Sequence, residues 1–211
     1  MGIDGFAHFK MGQCVTEGAM KTKAVMVCGS RSVSVGARQK ISQVVSGLLA
    51  EGRVLVVGCA TGADEAALSA ALSAGCVSQV RVFAAFGPGG AGACRWSAVS
   101  TVSRFEAAGG QVAWWAGGGS NVPLSVRLPL RTRVAVDASS CLVAFFSVPG
   151  SRGSRLACRS AVRNGLPVAA LPFGFPGARL PTLGAGEWWP SGKAGVWADA
   201  WRWVPGQECL F

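Results

Sequence analysis

Apolar and polar positions along this chain switch repeatedly between two periods. Short, nearly continuous runs of β-branched and aliphatic residues recur at 24–28, 53–57, 80–86, 111–115, 141–146 and 167–171. Runs of this length and composition read as strands covered on both faces. Between them the apolar residues space out to a helical period. In 35–51, Ile41, Val44, Val45, Leu48 and Leu49 share one side. Similar segments follow at 64–74, 97–108, 124–139 and from Ser154 to Asn164, with Gly52, Gly75, Gly109 and Gly165 as stops. Pro129 either kinks the fourth of these or marks its true start. Strands alternating with helices predict an α/β fold. The expected architecture is a doubly wound, mostly parallel, Rossmann-like sheet with helices on both faces.

This rhythm covers residues 23–172, which are expected to form one domain. Residues 1–22, with Gly2, Gly5, Gly12 and Gly18, read as an irregular leader in which Met20 is a possible second start. After Pro172 the pattern breaks. Residues 173–211 carry Pro176, Pro181, Pro190 and Pro205 and five of the eight tryptophans. Trp188, Trp189, Trp197, Trp201 and Trp203 are too apolar to stand together in water. This extension is expected to pack on the domain or on a neighbouring subunit.

In doubly wound sheets, ligands bind beyond the carboxyl ends of the strands. Three short glycine- and serine-bearing turns fall there: 29–32, 58–64 and 149–154. Gly58 and Gly62 permit a tight turn, and Asp64 stands where a helix N-cap belongs. Backbone N–H groups at such strand-to-helix junctions favour an anion. The expected phosphate-binding residues are Gly29, Ser30, Arg31, Gly58, Ala60, Thr61, Gly62, Ala63, Asp64, Arg131, Gly150, Ser151, Arg152, Gly153 and Ser154. In this reading the amides of 58–64 and 150–154 hold phosphate. Arg31, Arg131 and Arg152 neutralise it, and Ser30, Thr61 and Ser154 add hydroxyls.

Composition narrows the partners. The net charge is +10, with fifteen arginines among twenty basic residues. That excess favours polyanions: nucleotides, nucleic acid or an acidic protein surface. No apolar run approaches the ~20 residues of a membrane span, so no membrane partner and a cytoplasmic location are expected. Eight cysteines form no Cys-x-x-Cys pair, and His8 is the sole histidine. No metal site and no cofactor are therefore expected, and a Ser–His or Cys–His nucleophile is disfavoured. Neither the P-loop nor the dinucleotide-binding glycine pattern is present.

Gly29-Ser30-Arg31, the 58–64 turn Gly-Cys-Ala-Thr-Gly-Ala-Asp and the 149–154 turn Pro-Gly-Ser-Arg-Gly-Ser together resemble the SLOG superfamily. That Rossmann-like group includes DNA-processing A (Smf), lonely-guy and YspA-like proteins. The resemblance covers roughly residues 23–172. Arg131-Thr132 lies where many members carry an Arg-Asn or Arg-Lys pair, and residues 137–146 match the approach to the fifth strand. A homo-oligomer is implied. The lonely-guy branch implies removal of ribose 5′-phosphate by a glutamate, but Ala157 occupies that position, and Ser151 and Ser154 replace glycine and threonine. The DNA-processing A branch implies single-stranded DNA binding. Arg127, Arg131, Arg133, Arg152, Arg155, Arg159 and Arg163 would then form the basic surface, although the tryptophan-rich tail is unlike that family's usual extensions.

Three readings follow. The first is binding of a nucleotide-derived, phosphate-bearing ligand as a sensor or binding protein. The second is a single-stranded DNA-binding recombination mediator. The third is a nucleotide N-glycosidase with Asp64 as its acid.

Overall fold

The computed structural model describes residues 24–93 and 95–206. The 1–22 leader lies outside the described residues.

The buried apolar runs form six parallel strands: β1 (Ala24–Gly29), β2 (Val54–Val57), β3 (Val80–Phe83), β4 (Gln111–Ala113), β5 (Cys141–Phe146) and β6 (Val168–Pro172). The helices between them are α1 (Val35–Ala50), α2 (Ala63–Ser73), α3 (Trp96–Ala107), α4 (Leu124–Asp137) and α5 (Arg152–Arg163). Two further strands, β7 (Gly186–Pro190) and β8 (Trp201–Pro205), complete a sheet of order β4-β3-β2-β1-β5-β6-β8-β7. The fold is thus the α/β, mostly parallel, Rossmann-like architecture that the alternation predicts.

Alternate residues of each strand feed two cores, as the two-residue period of a strand requires. Val25 and Val27 of β1 face one side with Ile41, Val44, Leu68, Val99 and Phe105 from α1, α2 and α3. Met26 and Cys28 face the other, against Ala135 and Val136 of α4 and Ala157, Cys158 and Ala161 of α5. The small residues of α5 let it sit close on β1 and β5.

Several elements differ from the sequence expectation, among them β4, which ends at Ala113 rather than residue 115, and α5, which begins at Arg152 rather than Ser154. The strand beginning at Val80 ends at Phe83 rather than residue 86, and the carbonyl of Ala85 is taken by a side chain of α4. Pro129 lies inside α4, which begins at Leu124 and runs on to Asp137, so it is not the start of the helix. The segment after Pro172 is regular. β8 pairs antiparallel with β6 and with β7, and Trp188 meets its cross-strand neighbour Trp203 edge-on at 5.4 Å. Tryptophan and proline abundance conceals this short alternation. No described helix is long and apolar enough to cross a membrane.

Candidate nucleotide and nucleic-acid cleft

The strand order reverses between β1 and β5, so the loops leaving them part in opposite directions and open a crevice. A cleft of about 550 Å³ lies there, between the ends of β1 and β5, the first turn of α5 and the middle of α4. Of the residues singled out from sequence, Gly29, Ser30, Arg31, Ala60, Asp64, Arg131, Ser151, Arg152, Gly153 and Ser154 line it. Thr61 lines a smaller recess of about 30 Å³ on the other side of Arg131. Gly58, Gly62 and Ala63 stand behind the wall, and Gly150 lies outside the lining.

The base of the cleft is a tight junction. A Cβ at Gly29 would come within 2.6 Å of both Ala63 Cβ and the Phe145 carbonyl oxygen, so only glycine fits. Ser30 is buried, and its N–H donates to Phe145 O at 2.8 Å. Its Oγ accepts from Ser147 N at 2.9 Å, and its carbonyl accepts from Ala63 N at 3.1 Å. One serine thus ties β1, the end of β5 and the start of α2 together. Its O–H proton remains for a further acceptor.

The 58–64 turn departs from expectation. The N-cap of α2 is Gly62, at φ +81°, not Asp64. Asp64 sits within the first turn and reaches back, its Oδ2 accepting from Ala60 N at 3.0 Å. Gly62 N donates to Glu65 Oε2 at 3.3 Å. Because Ala63 N is already bound to Ser30, the amides of Ala60, Gly62 and Ala63 are all satisfied within the protein. Three amides of this turn are therefore already taken before any phosphate arrives. Thr61 Oγ1 donates to Arg31 O at 3.3 Å, so its hydroxyl proton is also engaged.

Asp64 is buried, and burial raises its carboxyl above the usual range. Arg131, the Ala60 N–H and Arg31 pull the other way. Gly58 is glycine because Asp64 and Arg131 both cross its face, and a Cβ there would collide with the guanidinium and the carboxylate. The two groups share this corner without closing an ion pair.

Two arginines one helical turn apart on α4 are both buried, with opposite consequences. Arg127 donates to Ala85 O at 2.8 Å and to Gly92 O at 3.0 Å, and lies over the Trp115 ring at 4.9 Å. It pins the glycine-rich 87–93 loop and belongs to no basic surface, contrary to the sequence expectation. Arg131 is only 7% exposed, yet its side chain makes no hydrogen bond to any described residue, and its Nε is buried without a partner. It faces both the cleft and the recess. A buried guanidinium in this state is a strong electrostatic demand for an anion.

The β5–α5 turn adds to that demand. Ser151 occupies the N-cap of α5 but makes no capping bond. Its hydroxyl instead meets Ser154 Oγ at 2.8 Å. The first-turn amides of Arg152, Gly153 and Ser154 therefore have neither a helical partner nor a side-chain cap. The first turn of α5 holds no acid, and Arg152 stands there instead. A cation at a helix N-terminus is unfavourable unless an anion joins it.

Ala157 forms part of the cleft floor, so no carboxylate stands at the lonely-guy glutamate position. Cys28 also reaches the floor. Its hydrogen bond with Cys158, together with burial, raises the thiol well above its usual range, which leaves it protonated and unreactive. Among the described residues, no three His, Cys, Asp or Glu side chains gather as a metal site. Sequence reasoning did not single out Ser125, Leu128, Pro129 or Ser147, which also line the cleft. Ser147, a polar residue directly after the apolar run of β5, carried the one local signal.

Residues 9–91 match the family profile of DNA recombination-mediator protein A. Among solved structures, the fold is similar to DNA processing protein A from Helicobacter pylori, described for its single-stranded DNA binding mode. That likeness has a TM-score of 0.57 and 18% identity, over 72% of this chain and 66% of that one. It is also similar to DNA processing protein A from Streptococcus pneumoniae, with a TM-score of 0.58 and 25% identity over 74% of this chain and 52% of that one. The chain thus spans about two thirds and about half of the lengths of these two proteins. No protein of curated function matches by sequence. The SLOG resemblance holds, on its DNA-processing A side.

Proposed function

We propose that this protein binds single-stranded DNA through the β1–β5 cleft, in the manner of a recombination mediator. The observation that carries this reading is Arg131, a buried guanidinium without a hydrogen-bond partner that opens onto the uncapped start of α5. A backbone phosphate seated there would receive the free amides of Arg152, Gly153 and Ser154 and the charge of Arg131, with Arg31 and Arg152 at the rim. The net charge of +10 supports a polyanionic partner, and the likeness to DNA processing proteins favours DNA over a small ligand. Asp64 acts here through charge: it holds Arg131 at the corner over Gly58.

A free nucleotide is the second reading, favoured by a cleft volume of about 550 Å³ that falls in the range of small-molecule sites. Fluorescence anisotropy separates the two. With labelled oligo(dT), unlabelled oligo(dT) should compete far better than deoxythymidine monophosphate at equal nucleotide concentration, and Arg131→Ala should lower affinity at least about tenfold (about 1.4 kcal/mol). Equal competition by the mononucleotide would select the second reading. No binding of either would end both.

A further inference from the structure

The arginines of α5 sort themselves in a way that extends the cleft. Arg152, Arg155, Arg159 and Arg163 are three, four and four residues apart, the spacing that stacks side chains on one side of a helix at successive turns. The opposite side of α5 carries the buried residues Ser154, Ala157, Cys158 and Ala161. The four arginines therefore form a single outward row that begins at the cleft and runs to the far end of the helix. Arg152, Arg155 and Arg163 are exposed, and Arg159 is half-buried with its Nε lacking a partner.

Among the described residues, nothing neutralises this row. No ion pair joins any of the four to a described acid, and α5 contains no Asp or Glu. Asp137, at the end of α4, accepts instead from Asn164 Nδ2 at 2.8 Å. Arginine at the last turn suits the helix dipole, but arginine at the first turn opposes it. Helix stability therefore does not explain the row as a whole.

We infer that the row is a phosphate track: a single strand seated in the cleft leaves along the outer face of α5, its backbone lying on Arg155, Arg159 and Arg163 in turn. The inference rests on the single-stranded DNA reading of the cleft and deepens it. At 1.5 Å per residue the row is about 16 Å long, which is about five nucleotides at the ~3.4 Å stacked spacing. A strand long enough to cover it gains contacts that a cleft-filling strand lacks.

The test uses a thymidine dinucleotide, short enough to stay within the cleft, and oligo(dT) of about 20 nucleotides, with affinity measured by anisotropy, the dinucleotide by competition, from about 50 to about 200 mM salt. The variant is Arg155→Gln/Arg163→Gln, both positions being exposed, with circular dichroism to verify the fold. Each phosphate contact on a single strand contributes about 0.7 to the slope of log K against log salt. The double variant should therefore flatten the slope by about 1.4 on the long oligonucleotide and leave the short one unchanged. Arg131→Ala should weaken both lengths. An unchanged slope on the long oligonucleotide, or an equal loss on both lengths, overturns the track while leaving the cleft reading standing. Failure of the unmodified protein to bind either length overturns both.

Discussion

Two turns of this molecule look alike in sequence and behave in opposite ways. Both follow a buried parallel strand, carry two glycines and lead into a helix. The β2–α2 turn is stitched shut: Asp64 binds Ala60 N, Glu65 binds Gly62 N, and Ser30 O binds Ala63 N. The β5–α5 turn is open, with no capping bond and arginine where acids usually stand. The difference lies in the residues just inside each helix. Carboxylates in the first turn of α2 reach back to the amides of Ala60 and Gly62 in the turn before it, and no carboxylate in α5 does the same for the turn that precedes it. A glycine turn before a helix is thus an anion site only if its helix does not bring its own anion.

The largest effect in the contrast belongs to the closed turn. Asp64→Ala leaves Ala60 N–H and the buried Arg131 uncompensated, and should destabilise by about 3–5 kcal/mol in chemical denaturation. Ser151→Ala in the open turn removes no cap and only the hydroxyl bond to Ser154, and should cost no more than about 1.5 kcal/mol. Comparable losses at the two positions would break the comparison.

The arginine pair on α4 gives the next effect. Arg127→Ala orphans two loop carbonyls and a cation–π contact, and should destabilise by about 2–4 kcal/mol. Arg131→Ala removes a buried charge that has no hydrogen-bond partner. It also leaves the buried Asp64 without its nearest cation, so it should cost some stability but less than Arg127→Ala, while oligo(dT) affinity falls.

Glycine substitution follows. Gly62→Ala forces a side chain into φ +81° and against the Ser30 and Arg31 backbone, with a loss exceeding about 1 kcal/mol. A Cβ at Gly150 would meet nothing within 4 Å, so Gly150→Ala should stay within about 0.5 kcal/mol of the unmodified protein.

The smallest effect is the pH dependence. The carboxyl of Asp64 is raised on folding, so the folded state binds more protons than the unfolded state above the unfolded value of about 3.9. Its contribution to stability is therefore greatest at low pH and is lost as pH rises through the folded value. Above that value it is constant. Asp64→Asn should remove this part of the slope when the two stability–pH curves are subtracted.

The six parallel strands and five helices were legible because burial on both faces leaves uninterrupted apolar runs, and glycines punctuate the ends of most helices. The position of the cleft followed from the same alternation, since strand ends in a doubly wound sheet share one edge. What stayed hidden depends on side chains folding back. Asp64 and Glu65 stood in the sequence as the start of a helix, but only the structure shows them reaching Ala60 and Gly62. Arg127 and Arg131 look equivalent at four-residue spacing. Trp115 and the 87–93 loop, distant in sequence, enclose the first and leave the second without a partner. The β7–β8 pair escaped notice because each strand is only five residues long and ends in proline.

The most direct test of the account is an amide NMR titration of the protein with oligo(dT), following the two turns in one spectrum. The account predicts that the amides of Arg152, Gly153 and Ser154 shift strongly and saturate together, while those of Ala60, Gly62 and Ala63 move little. Strong shifts at Ala60, Gly62 and Ala63 with a silent start of α5 would contradict it.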